Sequence, residues 1–252
     1  MKLYVIPQIK ELNKWIELSS KYDLGFEYND FFDPSILDNE EDLKERIEVY
    51  KQLNRNGDTL HGVFFDINFA SNDKKIKEIS ISRAISSLKI AEELNCKGVV
   101  FHTNYQTWIK DEKYRNTWLK DTVKVYKELL NKFPNIDIYV ENMFDEDPKL
   151  LSELAKELKE EKHFGVCLDV AHAYISRTPL NEWFDCLRPY IKHIHLNDND
   201  KYYDSHLQLG KGTIDLEYIF NEIYNISNVS VLLEMNKYED ALESIKIVKK
   251  VL

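Results

Sequence analysis

Apolar and polar positions along the 252-residue chain recur in two rhythms, a period of two over short runs and a period near 3.6 over longer ones. The short runs, rich in β-branched and aromatic residues, predict strands at Leu3–Ile6, Leu24–Tyr28, Thr59–Val63, Gly98–His102, Asp137–Glu141, Gly165–Asp169, Lys192–Leu196 and Val229–Glu234. Amphipathic segments between them predict helices at Ile9–Lys21, Glu40–Asn54, Lys74–Leu94, Thr117–Lys132, Lys149–Glu160, Pro179–Leu187 and Leu216–Tyr224, with a closing one from about Glu239 to Val251. In Lys74–Leu94 the residues Ile81, Ala84, Ile85, Leu88 and Ala91 make one apolar stripe at three-and-four spacing. Asp147-Pro148 and Thr178-Pro179 read as helix starts, an N-cap followed by proline in the first turn.

Eight strands, each followed by a helix, close most simply into a single (β/α)8 TIM barrel spanning residues 1–252, an α/β fold whose active site lies at the C-terminal ends of the strands. An open doubly wound sheet would want a glycine-rich phosphate fingerprint after an early strand, and no G-x-G-x-x-G occurs.

Composition narrows the setting. With 43% hydrophobic residues and no Pro/Gly/Ser-rich linker, one sizeable core and one domain are expected. No run approaches 18 uninterrupted apolar residues, and the first residues lead into a polar helix rather than a signal-peptide core, so no membrane association is expected. Cys96, Cys167 and Cys186 form neither a disulfide framework nor a CxxC site, which points to a reducing, cytoplasmic compartment. A net charge of −10 argues against non-specific nucleic-acid binding, which relies on clustered Lys and Arg. The exposed helix faces show no apolar stripe beyond what a core needs, so no oligomer contact is marked.

The chemistry collects where apolar strands run out: His61, His102, Glu141, Asp169, His195 and Glu234. Period-two alternation gives them one inward direction, with Val100 sharing the face of His102, Tyr139 that of Glu141 and Cys167 that of Asp169. His172, Asp204 and His206 follow in loops, His193 belongs to the packed interior one layer below His195, and His163 sits in a turn before a strand. Glu, Asp and Glu at one barrel mouth without Lys or Arg beside them would raise one another's pKa unless a positive charge sits among them, and a divalent cation is the simplest one. Oxygen and imidazole donors suit Mn²⁺, Mg²⁺, Co²⁺, Fe²⁺ or Zn²⁺.

The segments L-H-G-V-F-F-D-I-N at 60–68, V-F-H at 100–102, V-E-N at 140–142, C-L-D-V-A-H at 167–172, H-I-H-L-N-D-N at 193–199, D-S-H-L-Q-L-G-K-G at 204–212 and L-L-E at 232–234 stand in one order along nearly the whole chain. In that order they resemble the xylose isomerase-like TIM barrel superfamily, which includes sugar and sugar-phosphate isomerases and epimerases together with endonuclease IV (AP endonuclease family 2). The resemblance implies that Glu141, Asp169, His195 and Glu234 correspond to the single-metal site of the epimerases, the two glutamates also acting as acid and base. It equally implies counterparts for all nine ligands of the endonuclease's three-zinc site: His61, His102, Glu141, Asp169, His172, His195, Asp204, His206 and Glu234. The chain departs from the common H-P-G after the fourth strand, having His102-Thr103-Asn104-Tyr105.

Two mechanisms follow. An isomerase or epimerase would use one divalent ion and pass a proton between Glu141 and Glu234 through an enediolate, with His61, His102, His172, His206 and Trp108 contacting a sugar or sugar phosphate. Tyr105 and Trp108 would supply its lid, and the nearby Lys110, Lys113 and Arg115 are either a solvated loop or a phosphate contact. A nuclease would use up to three zinc ions on a phosphodiester. Against it stands the stretch Asp23–Asp42, with eight acids (Asp23, Glu27, Asp30, Asp33, Asp38, Glu40, Glu41, Asp42) and no Lys or Arg, which would repel a phosphate backbone. That stretch ranks the small sugar first. A barrel kept for binding or regulation ranks last, because every candidate ligand is present.

Overall fold

A computed structural model of the protein describes residues 1–251; Leu252, the last residue of the expected domain, lies outside the described residues. The strands are β1 Lys2–Val5, β2 Gly25–Tyr28, β3 Thr59–His61, β4 Gly98–His102, β5 Asp137–Glu141, β6 Phe164–Asp169, β7 Ile191–Leu196 and β8 Ser230–Leu233. They follow one another in chain order around a closed parallel barrel, as the strand-helix rhythm predicts. The third strand stops at His61, two residues early. Gly62 still donates to the Val100 carbonyl, and a Cβ there would lie 2.5 Å from the Phe101 ring, so the strand leaves the sheet at a position only glycine fills.

The helices are α1 Leu12–Tyr22, α2 Pro34–Leu37, α3 Glu40–Lys51, α4 Lys74–Glu93, α5 Glu112–Lys132, α6 Lys149–Glu157, α7 Val170–Ile175, α8 Leu180–Leu187, α9 Leu216–Tyr224 and α10 Tyr238–Val251. α2 and α7 are too short to show a period and escape the sequence pattern. α5 begins five residues before the expected Thr117, because the Asp111 side chain accepts from the Tyr114 amide and caps a first turn that is polar all round. α8 begins after Pro179, with Thr178 one position too early to cap it. Among the described residues no helix is long and apolar enough to cross a membrane.

The buried face of α4 is rotated from the expected stripe: Ser80, Ala84, Ser87, Leu88, Ile90 and Ala91 are buried, whereas Ile81 and Ile85 are only partly so. The two serines explain the rotation. Ser80 Oγ accepts from the Asn68 amide and Ser87 Oγ from the Val63 amide, so this face fastens the loop that follows β3. Asn104, where the chain departs from H-P-G, fastens the same loop by donating to the carbonyls of Phe64 (2.6 Å) and Ile67 (3.0 Å).

The chain divides into two compact units. One comprises Met1–Glu27, Asn142–Pro148 and the described residues from Val166 on, and so carries β1, most of β2 and of β6, and all of β7 and β8; Tyr4, Ile6 and Leu232 form a buried apolar cluster in it. The other comprises Tyr28–Glu141 and Lys149–Gly165 and carries β3 to β5. Within each, strand register sets candidate ligands side by side: His102 pairs with Glu141 across β4 and β5, and Asp169 with His195 across β6 and β7.

Candidate metal centre

In the unit carrying β3 to β5, the strand-end residues His61, His102 and Glu141 converge and are all buried. The two Nε2 atoms are 3.2 Å apart, and Glu141 Oε2 lies 3.2 Å from that of His102 and 3.8 Å from that of His61. Nδ1 of His61 is 3.0 Å from the Gly62 carbonyl, which can only accept. The proton therefore sits on Nδ1, and the Nε2 lone pair faces the cluster. Phe64 stacks on His102 with ring centroids 4.6 Å apart, and Phe32 meets His61 edge-on, giving the donors an apolar wall.

These distances test whether the residues suit a metal. A tetrahedral zinc with ligands at about 2.0–2.1 Å has ligand-to-ligand edges of about 3.3–3.4 Å. Two imidazole nitrogens and a carboxylate oxygen at 3.2, 3.2 and 3.8 Å fit that pattern.

In the other unit Asp169 ends β6 and caps α7, its Oδ1 accepting from the His172 amide at 2.6 Å. His172, expected in a loop, thus stands in a helix that the aspartate starts. Asn142 clasps Asp169 from the side: its Nδ2 donates to the Asp169 carbonyl and its Oδ1 accepts from the Asp169 amide, both at 2.9 Å. Nδ1 of His172 is turned to the Asn142 carbonyl at 2.9 Å, and its Nε2 lies 3.2 Å from Asp204 Oδ2. His206 repeats the arrangement, with Nδ1 3.1 Å from the Glu234 carbonyl and Nε2 3.1 Å from the same Asp204 oxygen. Two imidazoles thus meet one carboxylate oxygen, Asp204 Oδ2.

Electrostatics follow from this crowding. Burial pushes the Asp204 carboxyl up, but hydrogen bonds from His172 and His206 outweigh it and hold the group well below the usual carboxylate range. Burial pushes His206 down, and the carboxylates of Glu234, Asp204 and Asp169 override it, raising the imidazole to about 10.

His195, near the end of β7, is also buried, with Nδ1 3.5 Å from Glu234 Oε2, an oxygen that Asn197 Nδ2 approaches to 3.4 Å. Below it His193 lies in the interior, as expected from alternation. Glu27 corrects the sequence reading. Placed there in the strand Leu24–Tyr28 but counted with the acidic stretch that would repel phosphate, it lies within β2, fully buried, with Oε1 3.0 Å from His195 Nε2 and Oε2 3.2 Å from His193 Nε2. Burial would push its carboxyl up; the two imidazoles prevail and lower it.

Asp198 is a second residue missed from sequence. Its Oδ1 accepts from the amides of Asn199 and Ile214 and its Oδ2 from those of Gly210 and Gly212, at 2.9–3.1 Å. Its backbone forms an antiparallel bridge with Leu207. Asp204 and His206 are carried on the loop so held. A Cβ on Gly212 would come within 2.3 Å of Asp198 Oδ1 and the Asn199 carbonyl, and Gly210 has φ +82°, so the glycines of D-S-H-L-Q-L-G-K-G serve this anchor. The signal available was the Asp within N-D-N followed by two glycines twelve and fourteen residues on.

The acidic stretch is also less bare than its sequence. Arg46 bridges Asp30 and Asp42, Arg83 pairs with Asp38, Lys2 pairs with Asp23, and Asp33 caps α2. Trp108 is 73% exposed in the loop after β4, and Arg115 pairs with Glu153 at 2.8 Å.

Residues 21–251 match the family described as xylose isomerase-like TIM barrel. The chain is 27% identical to an uncharacterized protein of Methanocaldococcus jannaschii over 187 residues, 73% of each chain. It is 29% identical to a probable endonuclease 4 of Aquifex aeolicus over 172 residues, 60% of each chain. Among solved structures it resembles a D-tagatose 3-epimerase-like protein, with a TM-score of 0.79 and 22% identity over 100% of this chain and 97% of that one.

Proposed function

The chain belongs to the xylose isomerase-like TIM barrel family, and from that premise we propose that it is a multinuclear divalent-metal enzyme, most suited to zinc, that hydrolyses a phosphate ester. The observation that carries the reading is the His61, His102 and Glu141 cluster, whose three ligand atoms stand at the spacing of one tetrahedral ion. His172, Asp204 and His206 would hold another ion, and Asp169, His195 and Glu234 would hold a third. Ions so held would neutralise the charge of a phosphate ester and acidify a water. The chain's own part is to keep three imidazoles with Nδ1 on backbone carbonyls and Nε2 offered inward, and to wall the His61–His102 donors with Phe64 and Phe32. The similarity to a probable endonuclease 4 supports the reading, and the ion pairs of the acidic stretch remove much of the repulsion that spoke against it.

A second reading, a one-ion sugar or sugar-phosphate isomerase or epimerase in which Glu141 and Glu234 pass the proton, is favoured by the acids Glu40 and Glu41, which stay exposed at the start of α3, and by the likeness to an epimerase-like protein. Zinc-loaded protein is assayed on bis(p-nitrophenyl) phosphate and on abasic duplex, and in parallel for solvent deuterium entering ketoses. Ester hydrolysis that falls at least about 100-fold in His102→Ala and in His206→Ala is expected. Deuterium exchange without hydrolysis, unchanged in both variants, would replace this reading by the second.

A further inference from the structure

Three candidate ligands share one orientation: His61, His172 and His206 each set Nδ1 on a backbone carbonyl and turn Nε2 to a carboxylate or another imidazole. His195 is reversed. Its Nε2 is 3.0 Å from Glu27 Oε1, and its Nδ1 is 3.5 Å from Glu234 Oε2. The other oxygen of Glu27 lies 3.2 Å from His193 Nε2, and His193 Nδ1 lies 2.7 Å from Ser230 Oγ. Ser230, His193, Glu27 and His195 are all buried, so this chain of polar groups runs under the candidate site shut off from solvent.

The Glu27 carboxylate, 3.0 Å from Nε2 where Glu234 Oε2 stands 3.5 Å from Nδ1, favours placing the single proton of a neutral His195 imidazole on Nε2. His195 is then protonated on Nε2, and its only lone pair is on Nδ1, on the side of Glu234. We propose that Glu27 is a positioning residue of the metal centre: it fixes the tautomer and ring orientation of His195 so that Nδ1 is the atom offered to the ion, and it is itself braced by His193 and Ser230. The inference rests on His195 being a ligand. Outer-shell carboxylates on ligating histidines act in this way generally, and their loss costs about 10- to 100-fold in metal affinity. A glutamine at position 27 has one accepting oxygen and one donating NH₂ group, so it can serve only one of the two imidazoles as acceptor and drives the other toward the opposite tautomer.

The test is long-range ¹H–¹⁵N correlation of histidine-labelled protein, stripped of metal and titrated with Zn²⁺ alone. Wild-type His195 should show the Nε2–H pattern, with Zn²⁺ moving its Nδ1 resonance. Glu27→Gln should stay folded by circular dichroism, lose the uniform tautomer, and need about 10- to 100-fold more Zn²⁺ to shift His195. An Nδ1–H pattern in wild type overturns the inference. So does Zn²⁺ shifting Nε2 of His193 and His195 together, which would place the ion with Cys167 one layer down, or a Glu27→Gln protein with wild-type tautomer and Zn²⁺ affinity. Should Glu27→Gln fail to fold, the two wild-type readouts decide alone. His195→Ala separates the levels: unchanged Zn²⁺ binding there fells the metal reading and this inference with it, whereas weakened binding there with none in Glu27→Gln fells only the role of Glu27.

Discussion

Nδ1 of His61, of His172 and of His206 is each held by a carbonyl one to thirty residues away in the chain, and none of those carbonyls can be read from a side-chain pattern. The ligand candidates themselves were legible, because an apolar run that stops in His, Asp or Glu is visible in sequence, as at Val99-Val100-Phe101-His102. Glu27 was not. Its strand, Leu24–Tyr28, was read, but in so short a run one inward acid has no periodic signature, and Asp23, Asp30 and Asp33 around it grouped it with a surface acidic stretch. At this scale the prediction concerns Glu141, whose Oε2 meets both imidazoles of its cluster. Glu141→Gln keeps the volume and exchanges an anionic donor for a neutral one, so circular dichroism should be unchanged while bound zinc falls by one or more ions and hydrolysis drops at least about 100-fold. Wild-type zinc content together with wild-type activity would remove Glu141 from the site.

Caps and anchors decided where elements begin and what they carry. Asp111 starts α5, whose polar first turn hides it from a hydrophobic pattern, and Asp169 starts α7, which is too short to show a period; in both cases the capping bond marks the start. The stripe on α4 was legible in type and misjudged in direction, because Ser80 and Ser87 are buried for their hydrogen bonds to the loop after β3 rather than for apolar contact. The loop from Asn199 to Ile214 makes the element-scale prediction. Asp198→Ala strips the acceptor from four backbone amides, and stability in urea should fall by about 1–3 kcal/mol or more, the cost of stranding buried donors. Zinc should be lost from His172, Asp204 and His206 while His61 and His102 continue to bind it, read from their imidazole resonances. Gly212→Ala, which forces a Cβ to within 2.3 Å of Asp198 Oδ1, should destabilise in the same direction by about 1–3 kcal/mol. A variant of either kind with unaltered urea midpoint and unaltered zinc at His206 would deny the loop its anchoring role.

At the scale of the chain, the barrel was legible because eight strand-helix alternations admit few other closures, and the strands indeed run β1 to β8 around a closed sheet. Charge was the weaker guide. A total of −10 counts Glu27, buried against two imidazoles, as though it met solvent, and does not show that Asp30, Asp38 and Asp42 each have an arginine partner. Hydrolysis of a nucleic acid, if that is the ester, should still weaken as salt is added, in proportion to the phosphates contacted. The claim most open to contradiction is that the imidazole-rich clusters hold ions of their own. Metal content per chain, measured on protein loaded with zinc and dialysed without chelator, tests it directly. The account predicts at least two zinc ions per wild-type chain, with one fewer in His102→Ala and one fewer in His206→Ala; a single ion per chain, retained in both variants, would contradict it.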